Sequence, residues 1–226
     1  GNLPDNRVKF VNEDASGRIW IGTQCGLISV TNGQYQIEDR LIHFTSSLAY
    51  KDDMYFLTAD GDIYLYQSAT QKMQKLASLT IVAGKTSPTG NFLLKDKWVI
   101  LTTTGVYTYD FNTGDIQADS RMDIKKGELI RDNHGDYWIY NHTGHLTYVL
   151  AKTGEIKDFQ LIPQDKISYI DFERYHIVHD SRGIIWISTY GNGLFAYNTA
   201  EDKLEHFMAN INDQSHISSD FLLYVM

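Results

Sequence analysis

Eight histidines, 28 carboxylates and one cysteine are the residues of this 226-residue chain that could hold a metal or move a proton. The histidines are His43, His134, His142, His145, His176, His179, His206 and His216, and two pairs, His142/His145 and His176/His179, are three positions apart. On a helix that spacing puts both rings on one side, whereas in a strand it sends them to opposite faces. Both pairs fall in segments that read as strand or turn, so no metal site and no cofactor is expected. Cys25 stands alone, which excludes an internal disulfide and a cysteine cluster, and it reads as a small buried apolar residue. The chain contains no Gly-x-Ser-x-Gly elbow, phosphate loop or His-Glu-x-x-His helix, so nucleophilic, nucleotide and zinc-protease chemistry have no motif behind them. Two carboxylates from different parts of a fold could still act as the acid and base of glycoside cleavage, at any sequence spacing. Asp14, Asp132 and Asp180, however, recur at one position of a repeat, which marks them as turn formers; no catalytic residue is assigned.

The elements that must carry these residues are short strands. Aromatic residues make up 13% of the chain, with 15 Tyr and 10 Phe, against 17 Gly and only 3 Pro, a balance suited to strands joined by glycine turns. No apolar run approaches the length of a membrane span. A net charge of −8 opposes binding to nucleic acid or to an anionic bilayer, so neither nucleic acid nor direct membrane contact is expected. The opening Gly1-Asn2-Leu3-Pro4-Asp5 has neither the basic start nor the apolar stretch of a signal peptide and reads as the edge of a segment cut from a longer protein.

One pattern recurs five times, at a period of about 40 residues that signals stacked structural repeats. Its clearest copies are Asp14-Ala-Ser-Gly17-Arg-Ile-Trp20-Ile-Gly-Thr23-Gln-Cys-Gly26-Leu27 and Asp180-Ser-Arg-Gly183-Ile-Ile-Trp186-Ile-Ser-Thr189-Tyr-Gly-Asn-Gly193-Leu194. A third runs from Asp132 through Gly135 and Trp138 to Leu146, and weaker ones surround Tyr55 and Trp98. Trp20, Tyr55, Trp98, Trp138 and Trp186 are read as equivalent anchors, with Gly17, Gly135 and Gly183 supplying the positive φ of the first turn. Each repeat reads as four strands with two apolar faces, which only neighbouring sheets can cover, so the tryptophans are expected in the core between sheets.

The fold expected is therefore all-β: a β-propeller of four-stranded antiparallel blades at about 5–44, 45–84, 85–124, 125–168 and 169–215, with 216–226 as the first strand of a sixth. Two first strands cannot complete one blade, so the chain is read as five full blades of a larger ring, expected to hold seven. Open blade faces would then favour self-association, and a homodimer is one expectation.

At these residues the sequence resembles the two-component regulator propeller repeat, whose pattern is close to Asp-x-x-Gly-x-Leu/Ile-Trp-Ile-Gly-Thr followed by Gly-Leu and a Tyr-Asp or Tyr-Asn step. Asp14 to Leu27 and Asp180 to Asn198 fit it well. The resemblance implies the periplasmic sensor region of a hybrid two-component system of the Bacteroides type, an inner-membrane histidine kinase whose kinase part lies elsewhere. It also implies an oligosaccharide signal that regulates polysaccharide utilisation, and the remaining blades of the parent chain as partners. Loop residues that depart from the repeat are the candidates for ligand contact: Tyr190, Asn192, Asn141 and His142, which pair an aromatic face with planar hydrogen-bonding groups in the turn after the Trp strand. The alternatives are a propeller glycoside hydrolase or lyase, and a propeller that only scaffolds.

Overall fold

The structure, a computed structural model, describes residues 4–122, 124–141, 143–163, 175–210, 212–213 and 216–224. Among these residues the chain forms twenty strands and one helix of four residues, and it divides into two compact units, Gly1–Gly127 and Glu128–Met226. No helix is long and apolar enough to cross a membrane.

The first unit holds three sheets. They are β1 (Val8–Glu13), β2 (Ile19–Thr23), β3 (Gly26–Thr31) and β4 (Gln34–Asp39); then β5 (Phe44–Tyr50), β6 (Asp53–Thr58), β7 (Asp62–Gln67) and β8 (Lys72–Ser78); and, after α1 (Thr80–Ala83), β9 (Pro88–Leu94), β10 (Lys97–Thr102), β11 (Val106–Asp110) and β12 (Ile116–Ala118). The second unit holds two: β13 (Glu128–Arg131), β14 (Tyr137–Tyr140), β15 (His145–Val149) and β16 (Ile156–Gln160), then β17 (His176–His179), β18 (Ile184–Ser188), β19 (Leu194–Asn198) and β20 (Lys203–Phe207). In all five the strands pair antiparallel in chain order, so each sheet is a meander of hairpins. These are the four-stranded antiparallel units expected of propeller blades.

The first turn of the repeat shows why Asp, Gly and Trp recur together. Gly17, Gly135 and Gly183 all sit at φ between 82° and 88°, where a side chain would be strained, and each donates its backbone N–H to the carbonyl of the turn's Asp. One oxygen of that Asp folds the turn: Asp14 Oδ1 accepts the backbone N–H of Ser16 and of Arg18, Asp132 Oδ1 those of His134 and Asp136, and Asp180 Oδ1 those of Arg182 and Ile184. The other oxygen accepts the indole N–H six residues on, at 2.9 Å in Asp14–Trp20, 2.8 Å in Asp132–Trp138 and 3.1 Å in Asp180–Trp186. A large aromatic can thus be buried without orphaning its polar atom. Burial raises the Asp14 carboxyl, but the Ser16 hydroxyl, the Trp20 indole and the turn's backbone N–H groups outweigh it, and its pKa falls below the usual 3.8. The same balance holds Asp132 low, with the close imidazole of His179 the leading favourable neighbour, and Asp180 well below the carboxylate range.

Two consequences are measurable. Asp14→Ala strands the buried indole N–H and two turn amides, so urea unfolding should show a loss of about 2 kcal/mol; an unchanged midpoint would mean that the clamp is ornamental. Because the folded Asp14 carboxyl is depressed, its contribution is complete above the unfolded value and is lost as the pH drops through the folded one. Thermal stability should therefore decline as the pH falls below about 4, and less steeply in Asp14→Asn than in the parent chain.

Side chains alternate along the strands, so a sheet lying between two others serves two interfaces. On β6, Met54 and Phe56 join Trp20, Leu27, Phe44 and Tyr66 between the first and second sheets, while Leu57 on the other face joins Ile63, Leu79, Trp98, Ile100 and Tyr107 between the second and third. Trp20 meets Phe56 and Tyr66 edge-on, at 5.0 and 4.7 Å between ring centres. In the second unit Trp138 stacks on Tyr148 at 4.3 Å and shares a core with Leu146, Ile185, Ile187, Phe195 and Tyr197. Trp20, Trp98 and Trp138 are fully buried; Trp186 and Tyr55 are half-buried.

Trp98 departs from the expected equivalence of anchors. Trp20 lies three residues before Thr23 of the Thr-x-x-Gly turn, but Trp98 lies four before Thr102, so Val99 holds the anchor position in that sheet. A shift of one residue reverses the face. Trp20 looks toward the following sheet, whereas Trp98 packs back onto the preceding one and donates its indole N–H to Asn91 Oδ1, 2.9 Å away on β9, rather than to a turn aspartate.

Candidate ligand-binding loops

In a meander of four strands, the turns between strands one and two and between three and four lie at one end. The turn between two and three, together with the connection to the next sheet, lies at the other. Tyr190, Asn192 and Asn141 all belong to turns of that second kind. His142 is outside the described residues.

In the fifth sheet this turn, 189–193, is tightly determined. Thr189 Oγ1 donates to the Gly193 carbonyl at 2.9 Å and accepts the Asn192 N–H at 2.9 Å. The later segment around Asp220 lies against it: the N–H groups of Gly191 and Gly193 both donate to the Asp220 carbonyl at 3.0 Å, and Leu222 N–H donates to the Thr189 carbonyl. Asp220 Oδ1 accepts the Ala209 N–H at 2.6 Å, fixing the far side of the connection.

This zippered pair of segments presents aromatic rings to solvent. Tyr190 is 47% exposed and meets Phe221, 59% exposed, edge-on at 5.2 Å. Tyr224, three residues on, is exposed as well and sits edge-on against His176 at 4.9 Å. Polar groups border the rings: the Asn192 carbonyl lies 2.8 Å from His206 Nε2, and that imidazole stacks flat on Phe195 at 4.0 Å. Tyr190 and Asn192 thus share one turn. Asn141, in the fourth sheet, is held within its own turn, its Oδ1 accepting the N–H and hydroxyl of Thr143, which leaves its amide N–H groups to offer a ligand.

Exposed aromatic faces bordered by fixed hydrogen-bonding groups can stack on the C–H face of a pyranose while polar neighbours bind its hydroxyls. Sequence reasoning missed Phe221, Tyr224, His176 and His206. Phe221 and Tyr224 lie in a tail read only as the start of another strand, and the pairing of Phe221 with a turn some 30 residues earlier follows from hydrogen bonds that no spacing announces.

Residues 2–24 match the family model of the two component regulator propeller. The chain is also similar in structure to the extracellular domain of BT4673 of B. thetaiotaomicron, assigned to a one or hybrid two component system: 16% identity, TM-score 0.53, covering 98% of this chain and 36% of that one. The extracellular domain of BT3049 of the same organism gives 17% identity and a TM-score of 0.50, over 100% and 31% of the two chains. A calcium-binding protein, regucalcin of Agrobacterium tumefaciens, gives 17% and 0.54 over 87% and 72%. No characterised protein matches by sequence. The chain therefore spans about a third of the length of the two-component domains it resembles. At these identities the likeness shows a common fold.

Proposed function

We propose that this chain, which carries a two component regulator propeller repeat and shares the fold of two-component extracellular domains, is a ligand-sensing propeller segment of a membrane-bound sensor. It would stand in the periplasm and report an oligosaccharide to a histidine kinase in the rest of the parent protein, regulating polysaccharide utilisation; this segment itself would do no chemistry. The observation that carries the ligand class is the exposed ledge of Tyr190 and Phe221 on a hydrogen-bonded turn. An acidic surface suits a neutral glycan better than a polyanion.

Further blades of the parent are the natural neighbours of the fifth sheet. Trp138 of the fourth sheet is covered by residues of the fifth, whereas the corresponding Trp186 is half-buried and borders an open groove of about 430 Å³ with Ile184, Ala196, Asn198 and Lys203. In the isolated segment a second copy could occupy that face, giving the homodimer.

A thermal-shift screen of oligosaccharides, run beside an assay for reducing ends, tests the assignment. The expected result is a rise in melting temperature with one glycan class and no product, and a loss of that rise in Tyr190→Ala. Release of reducing ends would move the chain to the hydrolases. No shift with any glycan, from the segment or from the complete extracellular region, would leave it a scaffold.

A further inference from the structure

The turn of the fourth sheet differs from its two well-matched relatives in what surrounds the clamp aspartate. At the fourth position after that aspartate stand Arg18 in the first repeat and Ile184 in the fifth, but Asp136 in the fourth. In the first repeat Arg18 bonds the Tyr66 hydroxyl of the next sheet, so a cation faces that boundary. In the fourth the boundary carries two carboxylates, and an imidazole meets them from the next sheet. The Asn133 side chain grips both the N–H and the carbonyl of His179, at 2.8 and 3.0 Å, and this clasp fixes the end of β17 over the turn.

The result is a compact donor set. Asp132, Asp136 and His179 each offer one ligand atom, and these atoms lie within 4.8 Å of one another. His179 Nε2 is 3.0 Å from Asp132 Oδ2; the two side chains are 5% and 0% exposed. Despite that closeness the buried nitrogen makes no properly directed hydrogen bond. Two lone pairs facing each other at this distance repel unless a hydrogen or a cation lies between them. Among the described residues no Lys or Arg forms an ion pair with Asp132 or Asp136. With no well-directed hydrogen bond at that nitrogen, the space between the two atoms suits a cation.

We propose that Asp132, Asp136 and His179 form a divalent transition-metal site that ties the fourth sheet to the fifth. One imidazole and two carboxylates suit Zn²⁺ best, with water completing four-coordination. Bonds of about 2.0–2.2 Å put neighbouring donors of a tetrahedron about 3.4 Å apart, so the His179–Asp132 edge is nearly of that length and only Asp136 has to close in. The outer hydrogen bonds a ligand set needs are in place. Trp138 Nε1 holds Asp132 Oδ2 at 2.8 Å, the Tyr148 hydroxyl holds Asp136 Oδ2 at 2.8 Å, and Ala151 N–H holds Asp136 Oδ1 at 2.8 Å. His134 lies over the His179 ring at 4.2 Å between ring centres and helps to hold that ring in place. Pairing of histidines three apart within a strand gave no hint of this set, because its members come from two sheets and from positions 132 and 179.

The test uses the full chain stripped with a chelator and dialysed. Bound Zn²⁺ is measured by equilibrium dialysis with elemental analysis, and melting is followed with and without the metal. One Zn²⁺ per chain at micromolar free metal, with a higher melting temperature, is expected. His179→Gln should weaken binding by at least about tenfold, as should Asp136→Asn, while His216→Gln, at a surface His–Asp pair, should leave it unchanged. Should His179→Gln fail to fold, Asp136→Asn and the visible spectrum of the unaltered chain with Co²⁺ decide, a strong tetrahedral band supporting the site. A parent chain that holds no Zn²⁺ at that concentration, or Zn²⁺ binding that both ligand variants leave intact, overturns the proposal.

Discussion

Trp138→Ala should lower the stability of the second unit by about 3–5 kcal/mol. The side chain is fully buried, stacked on Tyr148 and in one core with residues of both sheets of that unit, so its removal opens a cavity that several rigid neighbours border. It also leaves Asp132 Oδ2 without the indole N–H that lies 2.8 Å away. Transfer, cavity and orphaned-acceptor costs therefore fall on one substitution. Trp186→Ala removes the same side chain from the corresponding place in the fifth sheet, where it is half-buried, and should cost roughly half as much or less. Chemical denaturation of the two variants side by side is the measurement. Equal losses would show that the two faces are equally covered in solution, as self-association through the fifth sheet would cause, and dilution would then separate them again.

Gly193→Ala is the second change with a large expected effect, and it reaches the candidate site as well as the fold. Gly193 sits at φ 73°, and a Cβ there would lie 2.2 Å from the Phe207 carbonyl oxygen, a backbone atom of the neighbouring strand, and 3.1 Å from Met208 Sδ. The strand pair must part or the turn must refold, because neither the oxygen nor the backbone that bears it can swing aside. Strain of this kind costs about 1–3 kcal/mol before the overlap is counted. The turn also carries the N–H that bonds the Asp220 carbonyl, so Tyr190, Asn192 and Phe221 should lose their common frame. The expected outcome is a clear drop in melting temperature together with loss of any glycan-induced shift. Gly33→Ala, with nothing within 4 Å of the added carbon at φ 74°, carries the same backbone strain without the collision and away from the loops, and should retain that shift.

The sequence speaks clearly where structure is local. The Asp-x-x-Gly turn, the indole six residues on and the glycine of the next turn are all contained in one hairpin, and their repetition reveals five sheets before any coordinate is seen. Trp98 shows the limit. An aromatic residue in an apolar strand looks alike on either face, and only its distance from Thr102, four residues instead of three, reveals the reversal. What the repeat could not show lies between repeats. The ledge joins position 190 to 221, and the acidic turn at 132 meets an imidazole at 179; both depend on which neighbour a sheet is laid against. Residues of the second kind announce themselves only by breaking the pattern, as Asp136 does in place of arginine or isoleucine.

The aspartate–indole clamp is complete within seven consecutive residues, and it needs nothing from the rest of the chain to be satisfied. A gene that copies or deletes one such stretch therefore delivers a hairpin with its polar atoms already matched, and only the apolar surfaces have to find new company. The Asn133 clasp on His179 works in the opposite sense, since it recognises one particular successor. The first device leaves a unit free to be moved without orphaning a polar atom, and the second fixes which unit must follow it.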